Sequence, residues 1–340
     1  SKMIFRQLFD KVSSTYTYLI ASRTGAEALI IDPVLENVNS YIRLLEELDL
    51  RLVKVIDTHI HADHISGMAE LRDKTNCITI MGDKTHADIV SMKVSDNEFI
   101  NIEKLKLKAM FTPGHTSESF SFLMDDRIFT GDTLLIRGTG RTDFQNGDPE
   151  DSYDSIFNKI LKLPEQMLVY PAHDYKGDTV STIEEEKKFN PRLQVKSKQE
   201  YIDIMNNLNL PDPKMMDVSV PSNLNLGIDI NRQKITNGLL AYEFKNELNL
   251  ETCLLIDLRE KNEIEKAGKI KNSKHIPFNK VSDYFEKNTN KIKNKKILLY
   301  CAVGHRSTLA VQISRSYNLN NCYHLVGGLK KWKENKFDIS

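Results

Sequence analysis

One short stretch of the sequence holds metal-ligating side chains at high density. Residues 58–64 read Thr-His-Ile-His-Ala-Asp-His, so three histidines and one aspartate fall within seven positions. Imidazole nitrogens and carboxylate oxygens are the donors that borderline transition metals prefer. Such groups are costly to bury together unless a bound cation neutralises and orders them, so the stretch predicts a metal site. Its candidate ligands are His59, His61, Asp63 and His64.

Other ligand-type residues follow predicted strands. An apolar run at 52–56 precedes the metal stretch, and the strand-like segments 105–111, 127–130 and 167–170 each lead within a few residues to a His or an Asp. Loops at strand ends carry function because the sheet fixes their bases while their side chains stay accessible. We therefore expect one edge of a sheet to bring together seven candidate ligands: His59, His61, Asp63, His64, His115, Asp132 and His173.

Residue types and spacing leave the reaction at this site open. The candidate ligands suffice for two zinc ions that share Asp132 and activate a hydroxide for hydrolysis. Two of the histidines and one carboxylate would instead make the facial triad of a mononuclear Fe(II) oxygenase, which keeps positions for substrate and O₂. A hydrolase and an oxygenase are both compatible with these residues.

A second motif that carries chemistry lies near the C-terminus. Cys301 follows an apolar predicted strand at 297–300 and precedes a predicted helix at 308–317. A thiol at such a junction faces backbone N–H groups and the positive end of the helix dipole, which stabilise a thiolate nucleophile. Arg306 adds positive charge, and we expect it to bind an oxyanion beside the sulfur. The predicted cradling loop consists of Ala302, Val303, Gly304 and His305.

Composition limits the classes of partner. With 47 basic and 47 acidic residues the chain has no concentrated positive field, so we expect neither nucleic acid nor a membrane surface as a partner. The apolar runs are too short to span a bilayer. Four cysteines without paired spacing suit a reducing compartment, and residues 1–10 lack a signal-peptide pattern, so we predict a cytoplasmic protein. A cleaved transit peptide and a homo-oligomer stay open.

The elements that must position these motifs predict two α/β domains. A chain of 340 residues exceeds the usual size of one domain. Beyond residue 234, apolar strands alternate with helical patterns, which predicts a small parallel sheet flanked by helices. We expect domains at 1–221 and 234–340, with a polar linker at 222–233.

The N-terminal part resembles the metallo-β-lactamase superfamily, through the HxHxDH stretch and the later His, Asp and His at strand ends. This resemblance implies an αββα sandwich. Several segments are more specifically similar to the persulfide dioxygenase family: residues 3–9, 15–19, 31–34, 130–144 (TGDTLLIRGTGRTDF) and 170–175 (YPAHDY).

The dioxygenase resemblance implies one Fe(II) per chain, held by His59, His115 and Asp132, and oxidation of glutathione persulfide by O₂ to sulfite and glutathione. The remaining candidates would support the site or serve as alternative ligands: His61, Asp63, His64 and His173. Glutathione is anionic, so Arg137 and Arg141 are candidates to bind its carboxylates, and Tyr175 is a candidate to orient a ligand.

The C-terminal part, from about residue 234 to 337, resembles a rhodanese domain. Four residues separate Cys301 from Arg306, as in the sulfurtransferase loop, and Asp257 and Arg259 match residues that organise the domain. The resemblance implies sulfur transfer among thiosulfate, sulfite and glutathione through a persulfide on Cys301. The sequence thus predicts a bifunctional enzyme of sulfur metabolism. The alternatives are a binuclear zinc thioesterase of the glyoxalase II type, and a sulfur carrier or sensor with an inactive metal domain.

Overall fold

The structure, a computed structural model, describes residues 2–87, 90–213, 215–224, 228–249 and 251–340. The chain divides into two compact units, Ser1–Leu226 and Gly227–Ser340. Among the described residues, no helix combines the length and the apolar character that crossing a membrane requires.

The first unit contains two six-stranded sheets. The first sheet has the order β1-β2-β3-β4-β5-β6, in which β1 to β3 are antiparallel and β3 to β6 are parallel. Its strands are β1 (Ile4–Asp10), β2 (Thr15–Ala21), β3 (Glu27–Ile31), β4 (Arg51–Ile56), β5 (Ile78–Gly82) and β6 (Met92–Val94).

The second sheet has the order β14-β13-β10-β9-β8-β7, and β11 and β12 form a separate antiparallel pair. The strands are β7 (Phe99–Ile102), β8 (Leu105–Phe111), β9 (Phe120–Leu123), β10 (Arg127–Gly131), β11 (Leu134–Leu135), β12 (Gly138–Thr139), β13 (Leu168–Pro171) and β14 (Ser181–Thr182). The two sheets meet through an aromatic cluster in which the rings of Tyr18 and Phe129 lie 5.0 Å apart.

Helices cover both sheets because each presents an apolar stripe to the core. Leu45 and Leu71 pack on Leu19 and Ile30 of the first sheet, and Tyr201 joins the core under the second. The helices are α1 (Val38–Glu47), α2 (Met68–Thr75), α3 (Pro149–Asn158), α4 (Ile183–Phe189), α5 (Lys198–Asn206) and α6 (Met216–Leu224). Three turns are 3₁₀ helices: Leu35–Asn37, Ile160–Lys162 and Pro191–Leu193. The predicted αββα sandwich is confirmed.

The second unit is a five-stranded sheet of order β15-β19-β18-β16-β17 in which every pairing is parallel. Its strands are β15 (Gly238–Leu239), β16 (Cys253–Asp257), β17 (Lys274–His275), β18 (Lys296–Tyr300) and β19 (Cys322–Leu325). The helices are α7 (Ile230–Ile235), α8 (Ala241–Glu247), α9 (Lys261–Ala267), α10 (Phe278–Ile292), α11 (His305–Arg315) and α12 (Gly328–Glu334). The predicted small parallel sheet flanked by helices is confirmed.

The segment expected to be a linker, 222–233, contains helical residues at both ends. It overlaps the end of α6 and the start of α7, while residues 225–227 lie outside the described residues. The C-terminal part of this polar segment is therefore a short helix. Asp229 caps the helix, because its side chain accepts a hydrogen bond from the Arg232 N–H.

Candidate metal centre and sulfur-carrying loop

Three candidate ligands meet at the carboxyl ends of β4, β8 and β10. His59, His115 and Asp132 place their donor atoms within 4.8 Å of one another. Asp132 Oδ2 lies 3.3 Å from His59 Nε2 and 3.4 Å from His115 Nε2. The structure thus brings together the two-histidine, one-carboxylate set that suits non-haem iron.

Hydrogen bonds at the far side of each ring fix which nitrogen faces the site. His115 Nδ1 donates to the carbonyl of Arg141 at 2.8 Å. His59 Nδ1 donates at 2.9 Å to the Thr58 hydroxyl, which gives its own hydrogen to a buried carboxylate. In the neutral form of each ring, Nε2 therefore presents its lone pair towards Asp132 Oδ2. Three lone pairs that converge in this way fit a bound cation, and the outer bonds orient its ligands.

The pKa values of all three groups are shifted from their ordinary values. Burial lowers the pKa of His59, but the hydrogen bond and charge of Asp132 outweigh it and that pKa is raised. For His115 burial prevails and the pKa is lowered. Burial raises the pKa of Asp132, yet the neighbouring His173 and His59 hold it well below its usual range. The carboxylate is therefore ionised and ready to bind a cation.

His173 connects this triad to a second group of candidate ligands. Its Nδ1 lies 2.5 Å from Asp132 Oδ1, and its Nε2 lies 2.6 Å from Asp63 Oδ2. Burial lowers the pKa of His173, but the two carboxylates raise it well above its ordinary value. Both ring nitrogens bond carboxylates in this arrangement, so neither of them is available to a metal.

His61 and His64 lie next to the triad with different partners. His61 Nε2 bonds Asp32 Oδ1 at 2.9 Å, and burial together with repulsion from His59 and His64 lowers the pKa of His61 to about 4. His61 Nδ1 and His64 Nε2 are buried, and among the described residues neither has a hydrogen-bond partner. With Asp63 and His173, these two residues form a group whose ligand atoms also lie within 4.8 Å of one another.

Two buried residues that sequence reasoning missed hold the metal loop in place. Asp32 accepts hydrogen bonds from the backbone and hydroxyl of Thr58, and it also bonds His61. Asn223 donates to the carbonyls of His61 and His64 and accepts from the Ser66 N–H. Asp32 could have been found from the sequence, because it directly follows strand β3 as the other candidate ligands follow their strands. Nothing in the sequence marks Asn223.

A cavity of about 440 Å³ opens onto the metal centre. Arg137, which lines it, donates to Glu186 from its guanidinium (2.5 Å) and its backbone N–H (2.8 Å). Arg141 forms a bidentate pair with Asp143, at 2.7 and 2.8 Å, and also donates to two backbone carbonyls of the cavity rim. Both arginines predicted to bind substrate thus lie at the cavity but already have protein partners.

Two more side chains shape the cavity. Tyr175 is 72% exposed and stacks parallel to the His173 ring at 6.2 Å. Arg192, which sequence reasoning missed, lines the cavity and donates to the carbonyl and hydroxyl of Thr139. Within the part of the chain that the structure describes, no carboxylate pairs with Arg192. A cation without a carboxylate partner is therefore present at the cavity.

In the second unit, the predicted loop surrounds the sulfur of Cys301. The Sγ atom accepts from the backbone N–H of Gly304 at 3.2 Å and of Ser307 at 3.4 Å. Gly304 caps α11 with a φ of +95°, a conformation that glycine adopts without strain. Ala302 and Val303 are half-buried, whereas Cys301 and His305 are buried. The backbone thus directs N–H donors at the thiol.

Buried ion pairs fix the charged residues of this unit. Arg306 forms a bidentate pair with Glu263, at 2.7 and 2.8 Å, so the guanidinium that we expected to bind an oxyanion already has a carboxylate partner. Arg259 pairs with Asp257 at 2.7 Å and also donates to the carbonyl of Gly268. Both Arg259 and Asp257 are 1% exposed, as expected for residues that organise the domain.

Comparison with known proteins assigns both parts of the chain. The metallo-beta-lactamase superfamily model matches residues 10–90 and 93–173, and the rhodanese-like domain model matches residues 240–335. Human persulfide dioxygenase ETHE1, mitochondrial, is 44% identical over 229 residues, which cover 66% of this chain and 89% of that protein.

Solved structures agree with this assignment. The crystal structure of ETHE1 from Myxococcus xanthus is 49% identical and covers 66% of this chain and 100% of its own, with a TM-score of 0.65. A metallo-beta-lactamase structure from Staphylococcus aureus is 24% identical and covers 96% of this chain and 99% of its own, with a TM-score of 0.62, which shows a shared fold. The chain therefore belongs to the persulfide dioxygenase ETHE1 family and carries a C-terminal rhodanese-like domain.

Proposed function

We propose that the first unit oxidises glutathione persulfide with O₂ to sulfite and glutathione, at one Fe(II) held by His59, His115 and Asp132. The observation that carries this proposal is that the donor atoms of these three residues converge on one point. Hydrogen bonds at Nδ1 fix the tautomers of the two histidine rings in their neutral form. Bound Fe(II) would supply the redox chemistry that no side chain of the site can perform. Both atoms of O₂ end on the outer sulfur, and hydrolysis then releases sulfite.

The position of His173 supports a site for one metal. Asp132 would have to bridge two ions in a binuclear centre, but its second oxygen accepts from His173. Asp63, a ligand that a second ion would need, accepts from the same ring. His173 thus occupies one oxygen of each of the two carboxylates that a second ion would need.

Arg192 is the best candidate to bind a carboxylate of glutathione. Arg137 and Arg141 are held by Glu186 and Asp143, and a substrate would have to displace those partners. Arg192 lines the cavity, and among the described residues its guanidinium bonds only the carbonyl and hydroxyl of Thr139. Burial lowers its pKa from the ordinary arginine value without removing the charge. An anionic substrate would therefore gain a charge-assisted hydrogen bond there.

We further propose that the second unit transfers sulfur through Cys301. The Cys301 thiolate attacks the outer sulfur of thiosulfate, the S–S bond breaks, and sulfite leaves with its electron pair. A glutathione thiolate then takes that sulfur from the Cys301 persulfide, which forms glutathione persulfide and regenerates the Cys301 thiolate. The N–H groups of Gly304 and Ser307 support the charge on the sulfur before attack. The same steps run in reverse, and the net direction depends on the supply of each thiol and anion.

A binuclear zinc thioesterase is the second candidate function. The buried, unpartnered Nδ1 of His61 and Nε2 of His64 favour it, because a second ion would satisfy both nitrogens. Metal analysis of the purified protein, followed by loading with iron or zinc, separates the two functions. We expect one iron per chain and O₂ uptake with glutathione persulfide. Two zinc ions per chain with hydrolysis of a glutathione thioester and no O₂ uptake would contradict the dioxygenase.

We also propose that the protein works in the cytoplasm. All four cysteines are free and buried in the structure. A thiol chemistry based on Cys301 needs a reducing compartment, because an oxidising one would consume the thiolate. Fractionation of cells that express the full-length gene tests this location, and recovery of the chain in an organelle would contradict it.

A further inference from the structure

A buried glutamine outside the rhodanese-like match contacts the loop that carries Cys301. Gln233 lies in α7, whereas the family model begins at residue 240. Its side chain is 1% exposed. Its Nε2 donates to the Val303 carbonyl at 3.3 Å, and its Oε1 accepts from the Gly327 N–H at 2.8 Å. The amide therefore connects the cysteine loop to the turn that follows β19.

The bond to Val303 sets the direction of the next N–H. In a trans peptide the carbonyl and the N–H point in opposite directions, and the described chain contains no cis peptide bond. When Gln233 holds the Val303 carbonyl on one side, the N–H of Gly304 must point to the other. On that side lies Cys301 Sγ, at 3.2 Å.

Packing keeps this peptide in place. A Cβ on Gly304 would come within 2.0 Å of Gln233 Oε1, so the glutamine amide lies directly against this residue. On the other side, a Cβ on Gly328 would come within 2.5 Å of the Ala302 backbone. The loop is thus confined between Gln233 and the Gly327–Gly328 turn.

The backbone of Gln233 reaches the sulfur by a second route. Its carbonyl accepts from His324 Nε2 at 2.8 Å, which leaves Nδ1 of that ring as an acceptor. The Ser307 hydroxyl donates to this Nδ1 at 2.8 Å and lies 3.6 Å from Cys301 Sγ. Burial lowers the pKa of His324 to about 4, so the ring is neutral and keeps this orientation near neutral pH.

We propose that Gln233 is a positioning residue for sulfur transfer, which holds the Val303–Gly304 peptide so that the Gly304 N–H stabilises the Cys301 thiolate. The inference rests on the proposed role of Cys301 as the sulfur carrier. It extends the sulfur-transfer site to a helix that precedes the rhodanese-like match, and it gives a function to a residue that no loop motif contains.

The test measures how fast iodoacetamide alkylates Cys301 in the full chain as a function of pH, with the modified peptide identified by mass spectrometry. Gln233→Met removes the amide without adding charge, and Gln233→Glu keeps the size and the acceptor oxygen but removes the donor. A hydrogen bond to a charged sulfur corresponds to about one pH unit, so we expect the midpoint of the alkylation profile to rise by about that much. Sulfur transfer from thiosulfate should fall roughly tenfold at a pH below both midpoints.

Thr236→Val is the matched control, because Thr236 is a buried residue that directly follows the same helix. Its hydroxyl donates to the Arg232 carbonyl and, among the described residues, to no other group. It should leave the alkylation midpoint unchanged. Fluorescence of Trp332, the single tryptophan, reports whether each variant is folded. If Gln233→Met is unfolded, Gln233→Glu decides. An unchanged midpoint in a folded Gln233 variant overturns the inference. If the midpoint shifts but the wild type transfers no sulfur, the positioning role stands and the proposed transfer function fails.

Discussion

The metal centre and the sulfur-carrying loop both hold a reactive atom in a buried place, but with different parts of the chain. Around the metal centre, side chains from separate strand ends are fixed by other side chains, as His59 is by Thr58 and His173 is by two carboxylates. Around Cys301 the donors are backbone N–H groups, which a glycine turn aims at the sulfur. A cation is bound by lone pairs and negative charge, which side chains supply. A thiolate is stabilised by N–H dipoles, which the backbone supplies.

The largest expected effect comes from Asp132→Ala. This change removes the carboxylate ligand and leaves His173 Nδ1 without its partner, so we expect iron content to fall to background and O₂ uptake to be lost. Sulfur transfer through Cys301 should continue, because its donors come from the loop of the second unit. Metal analysis and both activity assays on the same preparation check this. Full iron content in the variant would contradict the assigned triad.

Thr58→Val tests whether side chains orient the metal ligands. The variant keeps the shape of the residue but removes the acceptor for His59 Nδ1, and loss of such a partner typically costs 10- to 100-fold in metal affinity. We expect a decrease of about that size in an Fe(II) titration. Thr79→Val is the control, since Thr79 is a buried threonine of β5 whose hydroxyl bonds Ser91. Equal affinities in both variants would argue against the role of Thr58.

Arg192→Met tests which cation binds the substrate. Loss of a charge-assisted hydrogen bond should raise KM for glutathione persulfide by about tenfold or more, with little change in kcat. Arg137→Met is the matched comparison: it leaves Glu186 buried without its cation, so it should lower the melting temperature more than it raises KM. The reverse pattern in steady-state kinetics and thermal unfolding would move the carboxylate site to Arg137.

The smallest effect concerns the pH dependence of the second unit. His324 has a lowered pKa of about 4 in the folded state, so the unfolded chain takes up a proton first as the pH falls. Stability is therefore lost below about pH 6.5, by about 2 kcal/mol between pH 7 and pH 5. Unfolding followed by Trp332 fluorescence measures this. His324→Asn should remove that part of the pH dependence, and an equal acid sensitivity in both proteins would contradict the assignment.

The sequence predicted much of the fold because its patterns are local. Each element shows in its own residues which side chains are buried. Examples are the apolar run of β4, the alternation of β8 and the helical spacing of α1. The ligands could be found because His and Asp follow those strands directly. Asn223 and Gln233 could not, since they act from elements distant in sequence that carry no chemical motif. The pairing of Arg137 with Glu186 could not be predicted either, because it depends on how α4 packs on the cavity wall.

The most direct test of the account is O₂ uptake by the iron-loaded Cys301→Ser variant when glutathione persulfide is supplied. We predict uptake and sulfite formation equal to those of the wild type, together with complete loss of the turnover that starts from thiosulfate. This result would show that the metal centre oxidises the persulfide and that Cys301 only delivers sulfur. Absence of O₂ uptake in both the variant and the wild type, with iron bound, would contradict the account.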